Sequence, residues 1–176
     1  MLTAKTDGFK VMPAISDNEL MGIGLVSHNW SVLEAMLDDW LLAANGGPFK
    51  AERGHRASFV ERARRLRHLS LEQLRGQWAE RVGGVIEKAL SLKGQRDQII
   101  HGIWGGGSGD AYVRLIDCGV GGASRKVRYG KLREIALKID GVSAQLLQVA
   151  LESCEVAGLK PITLRGSWDA MRATTS

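Results

Sequence analysis

Residues 16–48 read SDNELMGIGLVSHNWSVLEAMLDDWLLAANGGP. Ser16 followed three residues later by Glu19 is the pattern of a capping box, in which each side chain satisfies a backbone N–H that the first helical turn leaves unpaired. Val26, Trp30, Leu33, Leu37, Trp40 and Ala44 then recur at alternating steps of four and three, which predicts a helix with one buried stripe. Asn45-Gly46-Gly47-Pro48 supplies its stop. The same periodicity returns twice. Ser70-Leu71-Glu72-Gln73 is read as a second capping box, opening a helix striped by Leu71, Leu74, Trp78, Val82, Val85, Ala89 and Leu92. From Lys131, the positions Leu132, Ile135, Ile139, Val142, Leu146, Val149, Ser153 and Val156 hold one register as far as Gly158 and Pro161. This predicts a last helix about 27 residues and about 40 Å long. Three long amphipathic helices with faces to bury against one another predict an up-and-down bundle.

Shorter elements fill the gaps. Phe59, Val60, Ala63 and Leu66 predict a short helix whose other faces carry arginines. Residues 94–104 form a further short helical segment, bounded by the breaker Gly105-Gly106-Gly107-Ser108-Gly109. Ala111 to Cys118 is rich in strand formers, Gly119-Val120-Gly121-Gly122 is a turn, and Ser124 to Tyr129 alternates, so a small β-hairpin is expected before the last helix. Gly83-Gly84 interrupts the third stripe at a propensity cost of about 1 kcal/mol per glycine, which predicts a kink or a close helix crossing. The expected fold class is therefore all-α with one small hairpin. The expected organisation is a loose arm over 1–15, one helical domain over 16–165 and a tail over 166–176.

Composition narrows the function classes. The chain has 176 residues, 44% hydrophobic and 24% charged, with 3 prolines, the proportions of a globular domain rather than a disordered or collagenous one. Its apolar runs are short, that from Trp40 to Ala44 included, and fall far short of the ~20 residues that a bilayer span needs. Met1 to Asp7 has no apolar core of a secretion signal, so a cytoplasmic location and no membrane partner are expected. Cys118 and Cys154 stand apart with no metal-like neighbourhood and are read as reduced thiols. His28, His55, His68 and His101 lack the spacing of a metal-binding helix, and neither a phosphate loop nor a nucleophile elbow occurs, so no metal and no cofactor are expected. Trp30, Trp40 and Trp78 belong to core stripes, and Trp104 is read as a core anchor with base stacking as the other possibility.

The net charge is +5, and its distribution says more than its size. Lys50, Arg53, Arg56, Arg62, Arg64, Arg65 and Arg67 face only Glu52 and Glu61, a local excess equal to that of the whole chain. A second cluster runs through Arg125, Lys126, Arg128, Lys131 and Arg133. Two such patches suit a phosphate backbone, although either also serves as a solvated face. The first is read as the RNA-binding surface.

Arg96-Asp97-Gln98-Ile99-Ile100-His101-Gly102-Ile103-Trp104 is the remaining constellation. This Arg-x4-His stretch between bundle helices resembles the signature of the HEPN superfamily, small helical bundles many of which are RNases. The likeness covers about 19–157 and rests on helix order and this motif. Asparagine more often follows the arginine in that family, where Asp97 stands here, and Ile103 replaces the tyrosine of members partnered with nucleotidyltransferases. The resemblance implies a metal-independent endoribonuclease, a symmetric homodimer pooling two motifs in one cleft, and a role in defence or a toxin–antitoxin pair.

The chemistry is also legible from the residues. Cleavage of RNA without metal needs a base for the ribose 2′-OH, an acid for the leaving 5′-oxygen and a cation for the phosphorane. His101 and Arg96 match these roles. Five helical residues turn the two about 140° apart, so a second copy is expected to complete the clamp. Asp97 and His101, four apart, are expected to touch, the carboxylate fixing the imidazole tautomer. Two other readings stay open: a non-catalytic RNA- or nucleotide-binding module, and an interaction protein with an antitoxin-like partner. On the bland reading of the motif, Arg96 and Asp97 merely pair at the surface and His101 caps a helix.

Overall fold

The computed structural model describes residues 16–45, 57–74, 76–101, 103–107, 110–114, 124–126 and 129–157, the short stretches between 103 and 126 by their backbone. Four helices make the bundle: α1 (Asp17–Ala44), α2 (Phe59–Gln73), α3 (Gln77–His101) and α4 (Tyr129–Ala157). Among the described residues, no helix is long and apolar enough to cross a membrane.

Helix α1 begins as its sequence predicts. Ser16 Oγ accepts from the Glu19 N–H at 3.4 Å, and the Ser16 N–H donates to Glu19 Oε2 at 2.9 Å. Val26, Trp30, Leu33, Leu37 and Trp40 are buried, and so are Met36 and Leu41 beside the expected stripe. The stripe is wider than predicted because α1 packs against all three other helices. Each large side chain withdrawn there contributes about 1.5–3 kcal/mol. The Asn29 side chain adds a hydrogen bond to the Ala136 carbonyl of α4, at 2.9 Å.

The second capping box lies elsewhere than expected. Ser58, with extended backbone, accepts from the Glu61 N–H at 3.3 Å and donates its own N–H to Glu61 Oε2 at 2.7 Å, so this pair starts α2. Ser70 is buried inside α2, and its hydroxyl donates to the Leu66 carbonyl at 2.8 Å. A serine already flanked by helical turns has no free N–H groups to cap. Leu71 consequently projects into solvent at 61% exposure, whereas Leu74, Val82, Val85, Ala89 and Leu92 are buried. The chain reverses at Gly76, whose φ of 59° is the left-handed conformation that glycine adopts without strain.

Helix α3 runs unbroken through Gly83-Gly84 and takes in the segment from Gly94 to His101, so the expected separate short helix is its C-terminal end. Ile103–Gly107, which includes Gly105, Gly106 and Gly107 of the expected breaker, forms strand β1. It pairs antiparallel with β2 (Asp110–Arg114), Trp104 opposite Val113, and β2 pairs antiparallel with β3 (Ser124–Lys126), Tyr112 opposite Lys126. Residues 115–123, which hold the turn of the expected hairpin, lie outside the described residues. So do the expected arm over 1–15, the tail over 166–176 and the helix stop at Gly158.

Side-chain pairings fix the helix directions: the three long helices α1, α3 and α4 alternate, and the short α2 departs from that alternation. Trp30 meets Phe59, Glu34 and Asp38 meet Arg62, and Ala44 meets Gln73, so α2 runs in the same sense as α1. The connection from Asn45 to Ser58 is long enough to return the chain beside α1. Glu87 meets Arg67, while Arg81 meets Glu152 and Lys88 meets Gln145, so α3 opposes both α2 and α4. Helices α1, α2 and α4 thus run one way and α3 the other. The C-terminal end of α3 lies among the N-terminal halves of the other three.

Candidate functional site

Trp30 organises this end of the bundle. Its indole is 2% exposed. The Phe59 ring at the start of α2 lies 4.6 Å from it, centroid to centroid. The Arg96 guanidinium carbon of α3 lies 5.5 Å from the ring centroid, within cation–π range. Arg96 is thereby pinned by α1, and its side chain keeps 22% exposure. Its Nε is buried and has no hydrogen-bond partner among the described residues.

Arg96 Nη1 donates to Asp97 Oδ1 at 3.0 Å and stands 3.5 Å from His101 Nε2. The flexible arginine stem closes the 140° that separates the two positions around the helix, so a single chain already brings arginine and histidine together. Asp97 is not the partner of His101, contrary to the i, i+4 expectation. It is held from the other side by Lys93, also four residues away, as well as by Arg96. Burial acts on the Asp97 carboxyl most strongly and would raise its pKa, but hydrogen bonds and charges from Lys93 and Arg96 together bring it below the ordinary 3.8. The Arg96–Asp97 pairing of the bland reading is therefore present. His101 is the last residue of α3 and is exposed.

The arginines of the basic segment separate into different roles. Arg62 is 7% exposed and clamped between Glu34, at 2.6 Å, and Asp38, so it is an internal ion-pair partner rather than a surface cation for RNA. Arg67 pairs with Glu87 across α2 and α3, and Arg65 donates to Asn45 Oδ1 at 3.3 Å. Arg64 is exposed and has no ion pair among the described residues. Lys50, Arg53 and Arg56 lie outside the described residues. In the second cluster, Lys131 shares Glu134 with Lys138 further along α4, and hydrogen bonds from Lys138 and Lys131 lower the Glu134 pKa to about 2. Among the described residues, no group of three or more His, Cys, Asp or Glu side chains is placed to hold a metal ion.

Sequence reasoning missed Trp30 as the platform for Arg96 and Lys93 as the second partner of Asp97. Lys93 was detectable as the residue four before Asp97 on one helix face. No family model, curated protein or solved structure matches the chain.

Proposed function

We propose that the chain is a metal-independent endoribonuclease of HEPN type in which His101 moves protons and Arg96 stabilises the phosphorane. The observation that carries this reading is the 3.5 Å approach of Arg96 Nη1 to His101 Nε2 at an exposed helix end. In the reaction, an imidazole takes the ribose 2′-OH proton, O2′ attacks phosphorus, and the P–O5′ bond breaks as the 5′-oxygen receives a proton. The products are a 2′,3′-cyclic phosphate and a 5′-hydroxyl. Trp30 and Asp97 position Arg96, so its free N–H groups meet the phosphorane oxygens without first losing rotamer freedom.

Base and acid act in one step, and each chain brings one such histidine. A homodimer supplies the second. The half-exposed Leu20, Met21 and Leu25 lie on the N-terminal part of α1, at the same end of the bundle as His101, and give a second copy an apolar surface to cover. RNA is the substrate, with Arg64 an exposed cation of α2 that has no ion pair among the described residues, and a cytoplasmic, defence-type role accords with such an activity.

The deciding experiment incubates purified protein with RNA and analyses the ends. Wild type is expected to yield cyclic phosphates, unaffected by EDTA. His101→Ala is expected to lose activity by about 10²–10⁴-fold for each proton-transfer role removed. Arg96→Ala is expected to slow cleavage while keeping much of the RNA affinity, and Arg96→Lys to restore it only in part, since lysine lacks the bidentate fork. Cleavage retained by His101→Ala overturns the mechanism. The Arg96–Asp97 pairing at 3.0 Å favours one other reading, a non-catalytic nucleic-acid-binding module; wild type that binds RNA and cuts nothing decides for it.

A further inference from the structure

Helix α4 carries a second face that the bundle leaves uncovered. Gly130, Leu137, Ala144 and Leu151 follow one another at steps of seven residues, which drift by only about 20° per step and so stay in line along a helix. Leu137 lies about 160° round the helix from the buried Ile139. Leu137 and Leu151 are 59% and 42% exposed. Gly141 borders the line, and a Cβ at Gly130 or Gly141 would meet nothing within 4 Å.

The charges of α4 single out one stretch of this face. Lys131 and Lys138 are satisfied by Glu134, and Glu152 holds Arg81 of α3. Arg133 and Asp140 are exposed and have no ion pair among the described residues. They are opposite in sign and stand four residues before and three after Leu137, the i, i+4, i+7 spacing of a single helix face. About 10 Å of helical rise separates them, too far to pair within the chain.

This pattern is its own complement. If two copies of α4 pack antiparallel about a two-fold axis between Ala136 and Leu137, each Arg133 falls level with the Asp140 of the other copy, and Leu137 packs against its own counterpart. A parallel pairing would leave each Arg133 about 10 Å along the helix from the nearest Asp140. We infer that a second copy of this chain docks antiparallel on the Leu137 face of α4. The face is about 40 Å long and one helix, about 10 Å, wide, so it buries about 400 Å² per copy. That is roughly half of what a stable interface buries, and the contact therefore forms reversibly as concentration rises. It uses none of the residues assigned to RNA cleavage and lies apart from Leu20, Met21 and Leu25 on α1, so it does not depend on that reading.

Sedimentation of the full chain over a concentration series from micromolar to near-millimolar tests the inference. Wild type is expected to double in mass towards the upper end. Leu137→Glu is expected to abolish that step with circular dichroism unchanged, whereas Leu71→Glu, at a leucine of α2 that is 61% exposed, is expected to leave it intact. Arg133→Asp or Asp140→Arg sets like charges together twice per dimer and is expected to weaken association about ten-fold. The two reversals combined restore opposite charges and are expected to recover it. The inference is overturned by wild type that keeps one mass throughout, by Leu137→Glu that associates as wild type does, by Leu71→Glu that loses association equally, or by a double reversal that associates no better than the single ones.

Discussion

Replacing Arg62 separates a structural arginine from an RNA-binding one. Its side chain is 8% exposed and bridges Glu34 and Asp38, which remain 28% and 41% exposed. Arg62→Ala leaves those carboxylates facing each other, with Asp39 adjacent. Asp39 is already pushed above its ordinary value by burial and by Asp38. Breaking a buried pair costs about 3–5 kcal/mol, and the partial hydration of the carboxylates places this case near the lower bound, at about 3 kcal/mol. For a chain of this length 1 kcal/mol corresponds to about 2–4 °C, so the melting temperature should fall by about 6–12 °C. Arg64→Ala, at an exposed position without an ion pair, should change stability by less than about 0.5 kcal/mol. RNA binding read against salt reverses the ranking: Arg64→Ala should lower the slope by about one phosphate contact, while Arg62→Ala, measured below its melting point, should leave it unchanged. An Arg62→Ala protein that melts like wild type and loses a phosphate contact would refute the assignment.

Three further outcomes are expected. Ser58→Ala should destabilise by about 1 kcal/mol through loss of the α2 capping box, and Ser70→Ala, whose hydroxyl only bonds back to Leu66 within the helix, should cost less; thermal melts of both rank the two serines. Because the folded-state pKa of Asp97 lies below 3.8, its contribution to stability is complete above the unfolded carboxylate value and is lost as pH falls through the lower folded one. The melting-temperature gap between wild type and Asp97→Asn should then be flat from about pH 5 to 8 and close below about pH 4. Trp30→Leu should lower kcat for RNA cleavage more than it raises KM, since it frees the Arg96 guanidinium without removing it; steady-state kinetics beside a melt distinguishes this from unfolding.

The helices of this bundle were legible where one residue pattern admits one structure. The apolar stripes of α1 and α4 and the Ser16–Glu19 box are local, and local physics decides them. The boundary between α2 and α3 was not, because Ser58-x-x-Glu61 and Ser70-Leu71-Glu72-Gln73 are near-equivalent patterns and only helix already formed before Ser70 excludes the second. The course of the short α2 was not legible for a different reason. An up-and-down bundle presumes short connections between antiparallel neighbours, whereas Asn45 to Ser58 is long enough to return the chain and lay α2 parallel to α1.

The candidate site illustrates a limit of helical-wheel reasoning. The wheel gives the direction in which each Cβ leaves the helix, and on that basis Arg96 and His101 point apart. It takes no account of the reach of a long side chain or of the surface on which that side chain rests. Trp30, far away in sequence, provides that surface, and it carries Phe59 of α2 as well. The parallel course of α1, α2 and α4 therefore matters chemically. It brings Phe59, the first residue of α2, to the same indole as the Arg96 guanidinium. The Ser58–Glu61 capping box sets a carboxylate at that helix end, so Arg96 is the cation beside the exposed imidazole of His101, and strict alternation of all four helices would have put the C-terminal end of α2 beside Trp30 in place of Phe59.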